Sequence, residues 1–98
     1  MIELTATQRQ HLRALAHPKQ PVVMIGDKGL TAPVLKEIER ALTSHALIKI
    51  KAASDERGMR EAWLKEICIK LGASPVQHLG KILVIYRPSE TADIILAG

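Results

Sequence analysis

Gly26-Asp27-Lys28-Gly29 follows an apolar run, Pro21-Val22-Val23-Met24-Ile25, and leads directly into a segment patterned as a helix. A strand that runs into G-x-x-G and then a helix presents backbone N–H groups at a positive helix end, a natural place for a phosphate. Glycines let a sugar-phosphate chain approach closely, and Lys28 adds a cation. The loop lacks the spacing and the Lys-Ser/Thr ending of a Walker A motif, and it is not the dinucleotide fingerprint. Its plain alternative is an ordinary tight strand-to-helix turn. Asp27 opposes a phosphate unless it points away.

Two further groups of cations could extend such a site. Arg9, Arg13 and His17 fall at i, i+4 and i+8 of the first helical segment, with Lys19 just beyond. Lys49 and Lys51 alternate along Leu47-Ile48-Lys49-Ile50-Lys51-Ala52 and share one strand face. Each has a plain alternative, a solvated helix or strand face. The distribution of acids favours the sharper reading. The first helix and this strand carry none, whereas Glu37, Glu39, Glu56, Glu61 and Glu66 concentrate in the second and third helices. Separated signs imply one basic face.

Catalytic chemistry finds little support. His11, His17, His45 and His78 lack metal-ligand spacing, and the single cysteine, Cys68, cannot build a zinc cluster or an internal disulfide. The histidines are expected at the surface or its boundary. Cys68 falls on an apolar helix stripe, which suits the core better than a nucleophile. No serine motif or carboxylate pair stands out. No cofactor is implied.

Ninety-eight residues with an apolar fraction of 47% suit one globular domain. A net charge of +4 favours polyanionic partners: RNA, DNA or an anionic membrane surface. The amino terminus carries no signal-peptide pattern, and no apolar stretch reaches the ~20 residues of a membrane span. A cytoplasmic protein with no membrane partner is expected.

The elements that must position these residues can be read along the chain. A helix over 6–16 starts with a capping box, Thr5 and Gln8, and ends at His17-Pro18. A buried strand covers 21–25. Thr31 caps a second helix with Pro33 in its first turn and a stripe of Val34, Leu35, Ile38, Ala41 and Leu42. In the strand 47–52, Ile48, Ile50 and Ala52 face the core. Ser54 or Asp55 caps a third helix whose stripe is Leu64, Ile67, Cys68 and Leu71, widened by Met59 and Trp63. Gly72 supplies its C-terminal cap. A hairpin pairs 76–79 with 82–87 through Gly80-Lys81, a type II′ turn. Pro75 marks an edge strand, and the unbroken run Ile82-Leu83-Val84-Ile85-Tyr86 marks a central one. Residues 89–98 are expected to form a loose tail. The order α-β-α-β-α-β-β with right-handed crossovers predicts an α/β two-layer domain and a four-stranded mixed sheet. Its last strand lies between the second and third, with the first at the other edge.

His11 to Lys51, HLRALAHPKQPVVMIGDKGLTAPVLKEIERALTSHALIKIK, followed by GKILVIYRP from Gly80 to Pro88, resembles the CRM domain (chloroplast RNA splicing and ribosome maturation). The closest likeness is to its small stand-alone bacterial members of the YhbY type, across nearly the whole chain. The resemblance implies RNA binding and a fold similar to the C-terminal domain of translation initiation factor three. For stand-alone members it implies a link to precursors of the large ribosomal subunit. The family's loop maps onto Gly26, Asp27, Lys28 and Gly29, with Asp27 a mild departure. Its basic surface maps onto the first helix and second strand. The expectation is a single-domain monomer over 1–98, with no catalytic activity, that binds pre-large-subunit ribosomal RNA. Arg9, Arg13, Lys19, Lys49 and Lys51 would extend the loop's contact. The alternative is an adaptor docking on an acidic ribosomal protein or assembly factor.

Overall fold

The computed structural model describes residues 3–91. Helix α1 (Ala6–Ala16) opens with the expected capping box. The Thr5 hydroxyl accepts from Gln8 N at 3.1 Å, and Gln8 Oε1 accepts from Thr5 N at 3.0 Å. Strand β1 (Pro21–Ile25) leads to α2 (Ala32–His45), capped by Thr31, whose hydroxyl accepts from Val34 N at 3.4 Å. Strand β2 (Leu47–Ala52) precedes α3 (Arg57–Leu71), which Gly72 closes in the left-handed conformation. Strands β3 (Ser74–Leu79) and β4 (Ile82–Tyr86) form the hairpin. Gly80 has φ +58°, the positive value that a II′ turn needs at its first loop position.

The sheet order is β1-β2-β4-β3, with β1 parallel to β2 and the other pairs antiparallel. This is the α/β class and the strand order that the sequence predicts. The layering is fuller than two. Helices α2 and α3 pack on one face, over Val23, Ile25, Ile48, Ile50, Leu83 and Ile85. Helix α1 lies on the opposite face, where Leu12 and Ala16 meet Leu47, Val76, Val84 and Tyr86. The apolar run of β4 explains the difference: its alternate side chains need cover on both sides.

Polar groups complete the frame. Arg60 is buried; its Nη1 donates to Ser54 O at 2.7 Å and its Nε to His78 Nε2 at 3.2 Å. The side chain of His78 is therefore largely inside, 6% exposed, although the residue as a whole is half-buried, at the boundary that the sequence allows. Its Nδ1 lies 2.5 Å from Glu61 Oε2. Arg87, in the Y-R-P segment, pairs with Glu39 and donates to Leu71 O at 2.9 Å and Thr43 Oγ1 at 3.1 Å. It ties the end of β4 to both α2 and α3.

Three local expectations change. The N-cap of α3 is Glu56, without a side-chain cap bond. Ser54 instead accepts from Glu56 N at 3.2 Å, and Asp55 pairs with Lys81 at 2.8 Å. Met59 is exposed and does not widen the stripe of α3. The start of the tail is tied down: the hydroxyls of Ser89 and Thr91 both donate to Thr43 O. The rest of the expected loose tail, 92–98, lies outside the described residues.

Cys68 is buried among core residues, and burial pushes its thiol from 9.0 up to about 11. The unfolded chain thus ionises this thiol at a lower pH than the native chain. Stability is unaffected below about pH 9 and falls as pH rises toward about 11. Urea unfolding at about pH 8 and about pH 10.5 should show a larger loss in wild type than in Cys68→Ala. Equal losses in the two proteins would contradict a buried thiol.

Candidate nucleic-acid interface

The glycine loop stands at the edge of the sheet where β1 ends. Gly29 N donates to Gly26 O at 2.9 Å, closing a four-residue turn, and Thr31 N donates to Gly29 O at 3.0 Å. Asp27 and Lys28 occupy the exposed tip. Gly29 has φ +76°, and a Cβ there would meet Trp63 Cζ2 at 3.7 Å. The indole of α3 is thus the floor on which the loop rests, and Trp63 packs in turn against the core. Gly26 faces open space: an added Cβ would touch nothing within 4 Å.

Two other connections reach the same edge. Ala53 N donates to Ile25 O at 3.0 Å, and Ala52 N donates to Lys81 O at 2.7 Å. These bonds hold the β2–α3 connection beside the glycine loop, and the hairpin turn beside that connection. Lys81 therefore joins Lys28 along the edge, a cation that sequence spacing did not single out. Its bond and charge hold the Asp55 carboxyl below its ordinary range.

The remaining predicted cations fall into separate clusters. Lys51 is exposed on the α1 side, in register with Met24 of β1 and Ile82 of β4, close under the loop edge. Lys49 is half-buried and its Nζ donates to His17 O at 3.0 Å, so part of its charge serves the C-terminal end of α1. Lys19 lies at the start of β1 and shares a shallow hollow with Lys49, Val22 and His45. At ~3.3 Å per strand residue, the length of β1 separates that hollow from the loop by roughly 15 Å. Arg9 and Arg13 line a third hollow at the β3 edge with Glu61, Gln77 and His78. Arg13 Nε donates to Val76 O at 3.2 Å and Arg9 Nη2 to Leu4 O at 3.5 Å, so both also fasten α1. The structure brings the loop and Lys51 together, Lys19 and Lys49 together, and Arg9 and Arg13 together.

Among the described residues no cluster of three or more His, Cys, Asp or Glu side chains could hold a metal, and no helix is long and apolar enough to cross a membrane.

The two loop glycines differ in a way that melts can read. Gly29→Ala places a side chain at positive φ and should cost about 1 kcal/mol. Gly26→Ala should change stability by under about 0.5 kcal/mol, since its Cβ meets open space. Thermal unfolding of both variants checks this; equal destabilisation would contradict the turn described here.

The sequence model of the CRS1 / YhbY (CRM) domain matches residues 4–87. A Haemophilus influenzae protein named "RNA-binding protein" is 48% identical over 96 residues, which cover 98% of this chain and 97% of that one. A Pseudomonas aeruginosa protein named "Probable RNA-binding protein" is 42% identical over 84 residues, covering 86% of this chain and 81% of its own. The solution structure of a hypothetical protein from Staphylococcus aureus superposes with a TM-score of 0.85 at 30% identity. That match covers 97% of this chain and 100% of the other. With residues 4–87 matched by the domain model and nearly its whole length by these relatives, the chain belongs to the CRS1/YhbY (CRM) domain family.

Proposed function

We infer that this protein binds RNA, and specifically ribosomal RNA in precursors of the large subunit, holding it by phosphate contacts and not by catalysis. The observation that carries the reading is the Gly26–Gly29 turn: an exposed Lys28, an unobstructed Gly26 and the capped start of α2 meet at one edge. The names of the Haemophilus and Pseudomonas relatives support RNA as the polyanion. The large-subunit precursor is the implication of the YhbY-type resemblance.

The proposed mechanism is electrostatic. The turn lets a phosphate approach the backbone near Gly26 while Lys28 and the positive end of α2 attract it. Lys51 continues the contact on the α1 side. Lys19 and Arg9 sit far enough away to meet phosphates further along a folded RNA. Arg13 and Lys49 contribute less, because each donates to a backbone carbonyl at 3.2 Å or 3.0 Å, whereas Arg9 reaches Leu4 O only at 3.5 Å. If Lys28, Lys51, Lys19 and Arg9 each neutralise one phosphate, the log–log salt slope of binding should be roughly −3 to −3.5.

Lys28→Glu tests the loop against Lys65→Glu, an exposed residue of α3 that has Glu61 and Glu66 nearby on the helix, with the same formal charge change. Affinity for a large-subunit ribosomal RNA fragment, measured for both at one salt concentration, should fall further for Lys28→Glu. Gly26→Ala should weaken binding without lowering the melting temperature. Equal losses for the two lysine variants, with Gly26→Ala unchanged, would mean that the loop is an ordinary turn. For the cellular target, the protein should co-sediment with large-subunit precursors and be released by ribonuclease. Retention after ribonuclease would point to a protein adaptor instead.

A further inference from the structure

One row of the sheet is left open by α1. The register places Met24, Lys51, Ile82 and Leu79 side by side across β1, β2, β4 and β3. Helix α1 covers Leu47, Val76, Val84 and Tyr86 further down the same face; of this last row Ile82 packs against that cluster, and Met24 and Leu79 lie outside it. Met24 is 58% exposed and Leu79 66% exposed. Ile82 is half-buried, and Lys51 stands between the two apolar ends. Four strands at ~4.8 Å spacing make the row about 14 Å long. It lies directly beneath the edge that carries the glycine loop and the hairpin turn.

The charge around this shelf selects its occupant. Among the described residues, no Asp or Glu lies on α1 or on any of the four strands. Cations border the shelf: Lys51 stands within it, Lys28 lies at the sheet edge beside Asp27, Lys81 there is paired with Asp55, and Lys49 behind donates to His17 O. An exposed apolar row with a lysine at its centre and no acid on its face suits a polyanion that also has apolar faces. A duplex presents its phosphates outward and keeps its bases stacked inside. Unpaired nucleotides offer both groups at once.

We propose that the Met24–Lys51–Ile82–Leu79 row is a base-binding shelf. It seats the faces of a few unpaired nucleotides, while Lys51 holds the phosphate between them. The inference rests on RNA as the ligand and adds what kind: a duplex interrupted by a bulge or loop, with its paired arm held at the glycine loop. Side-chain chemistry agrees with sequence tolerance, since aliphatic and thioether groups pack on any base but form no directed hydrogen bonds to its edge. The shelf would therefore select unpaired structure over base identity.

The test uses the full chain and two RNA probes: a duplex, and the same duplex interrupted by a five-uridine bulge. Wild type should bind the bulged RNA about fivefold or more tightly than the duplex. Met24→Thr combined with Leu79→Thr places β-branched, strand-favouring residues at exposed strand positions, so folding should persist, as melts verify. That variant should bind the duplex as wild type does and lose the preference for the bulge. Lys28→Glu should weaken both probes while keeping the preference. Wild-type preference retained in the double variant would overturn the shelf and leave RNA binding at the loop standing. Wild type binding neither probe would overturn RNA binding itself. Dimerisation of wild type at micromolar concentration, abolished in the double variant, would overturn the proposal in favour of a contact between copies of this chain.

Discussion

Strand β4 imposes the constraint on which the remaining structure depends. Ile82 to Tyr86 is apolar at every position and sits between β2 and β3. Leu83 and Ile85 point to one side, Val84 and Tyr86 to the other, and all four are buried. A sheet built on such a strand must be covered on both faces. The chain supplies two longer helices for one face and a single helix of 11 residues for the other. An 11-residue helix is about 16 Å long, too short to span the sheet in both directions. Part of the α1 face must stay open, and the open part borders the loops at the end of β1 and in the hairpin. The accessible surface is thus a remainder of the packing problem.

Among the described residues α1 and the four strands carry no acid, but the cations on this side are not equivalent. Arg13 and Lys49 donate to backbone carbonyls and hold α1 in place. Lys28, Lys51 and Lys19 are exposed. On the other face, three pairs join acids to bases within the fold: Glu39 with Arg87, Glu66 with Lys70, Glu61 with His78. Arg60 shows the most demanding arrangement. A guanidinium cannot accept, so His78 Nε2 must be the acceptor, which places the ring proton on Nδ1 facing Glu61.

Most of the fold was legible because its local signals are stereochemical. Thr5 with Gln8, Thr31 with Pro33, and Gly72 mark ends through hydrogen bonds and φ restrictions that depend on residue type. Alternation in β2 and the apolar run in β4 then set the strand order through ordinary crossover handedness. What stayed hidden depended on partners far along the chain. Ser54 and Asp55 both look like caps, but one turns back on Glu56 and the other is drawn to Lys81. Arg13 and Lys49 look free because backbone carbonyls leave no trace in sequence. The stripe of Leu12, Leu15 and Ala16 is too brief to say which face α1 covers, and Leu15 is 40% exposed. Arg60 was findable: it lies in phase with Leu64, Ile67, Cys68 and Leu71, and a cation on an apolar stripe needs a buried acceptor. Trp63 widens the apolar stripe of α3, which its packing against the core supports, but its place beneath Gly29 depends on how α3 meets the β1–α2 turn.

That placement separates form from use in the glycine loop. Gly29 is required by the backbone, since its φ is positive and its Cα rests on the indole. No such requirement falls on Gly26, where a side chain would meet open space. A residue that folding leaves unconstrained, beside an exposed lysine and the start of a capped helix, is where the smallest side chain matters for something outside the fold. Trp63 makes the distinction useful. It lies under Gly29 in the turn that carries Gly26 and Lys28. On the proposed reading, a turn supported in this way would lower the entropy lost when a phosphate binds. Any contact on the row beneath then starts from a strand already anchored at one end.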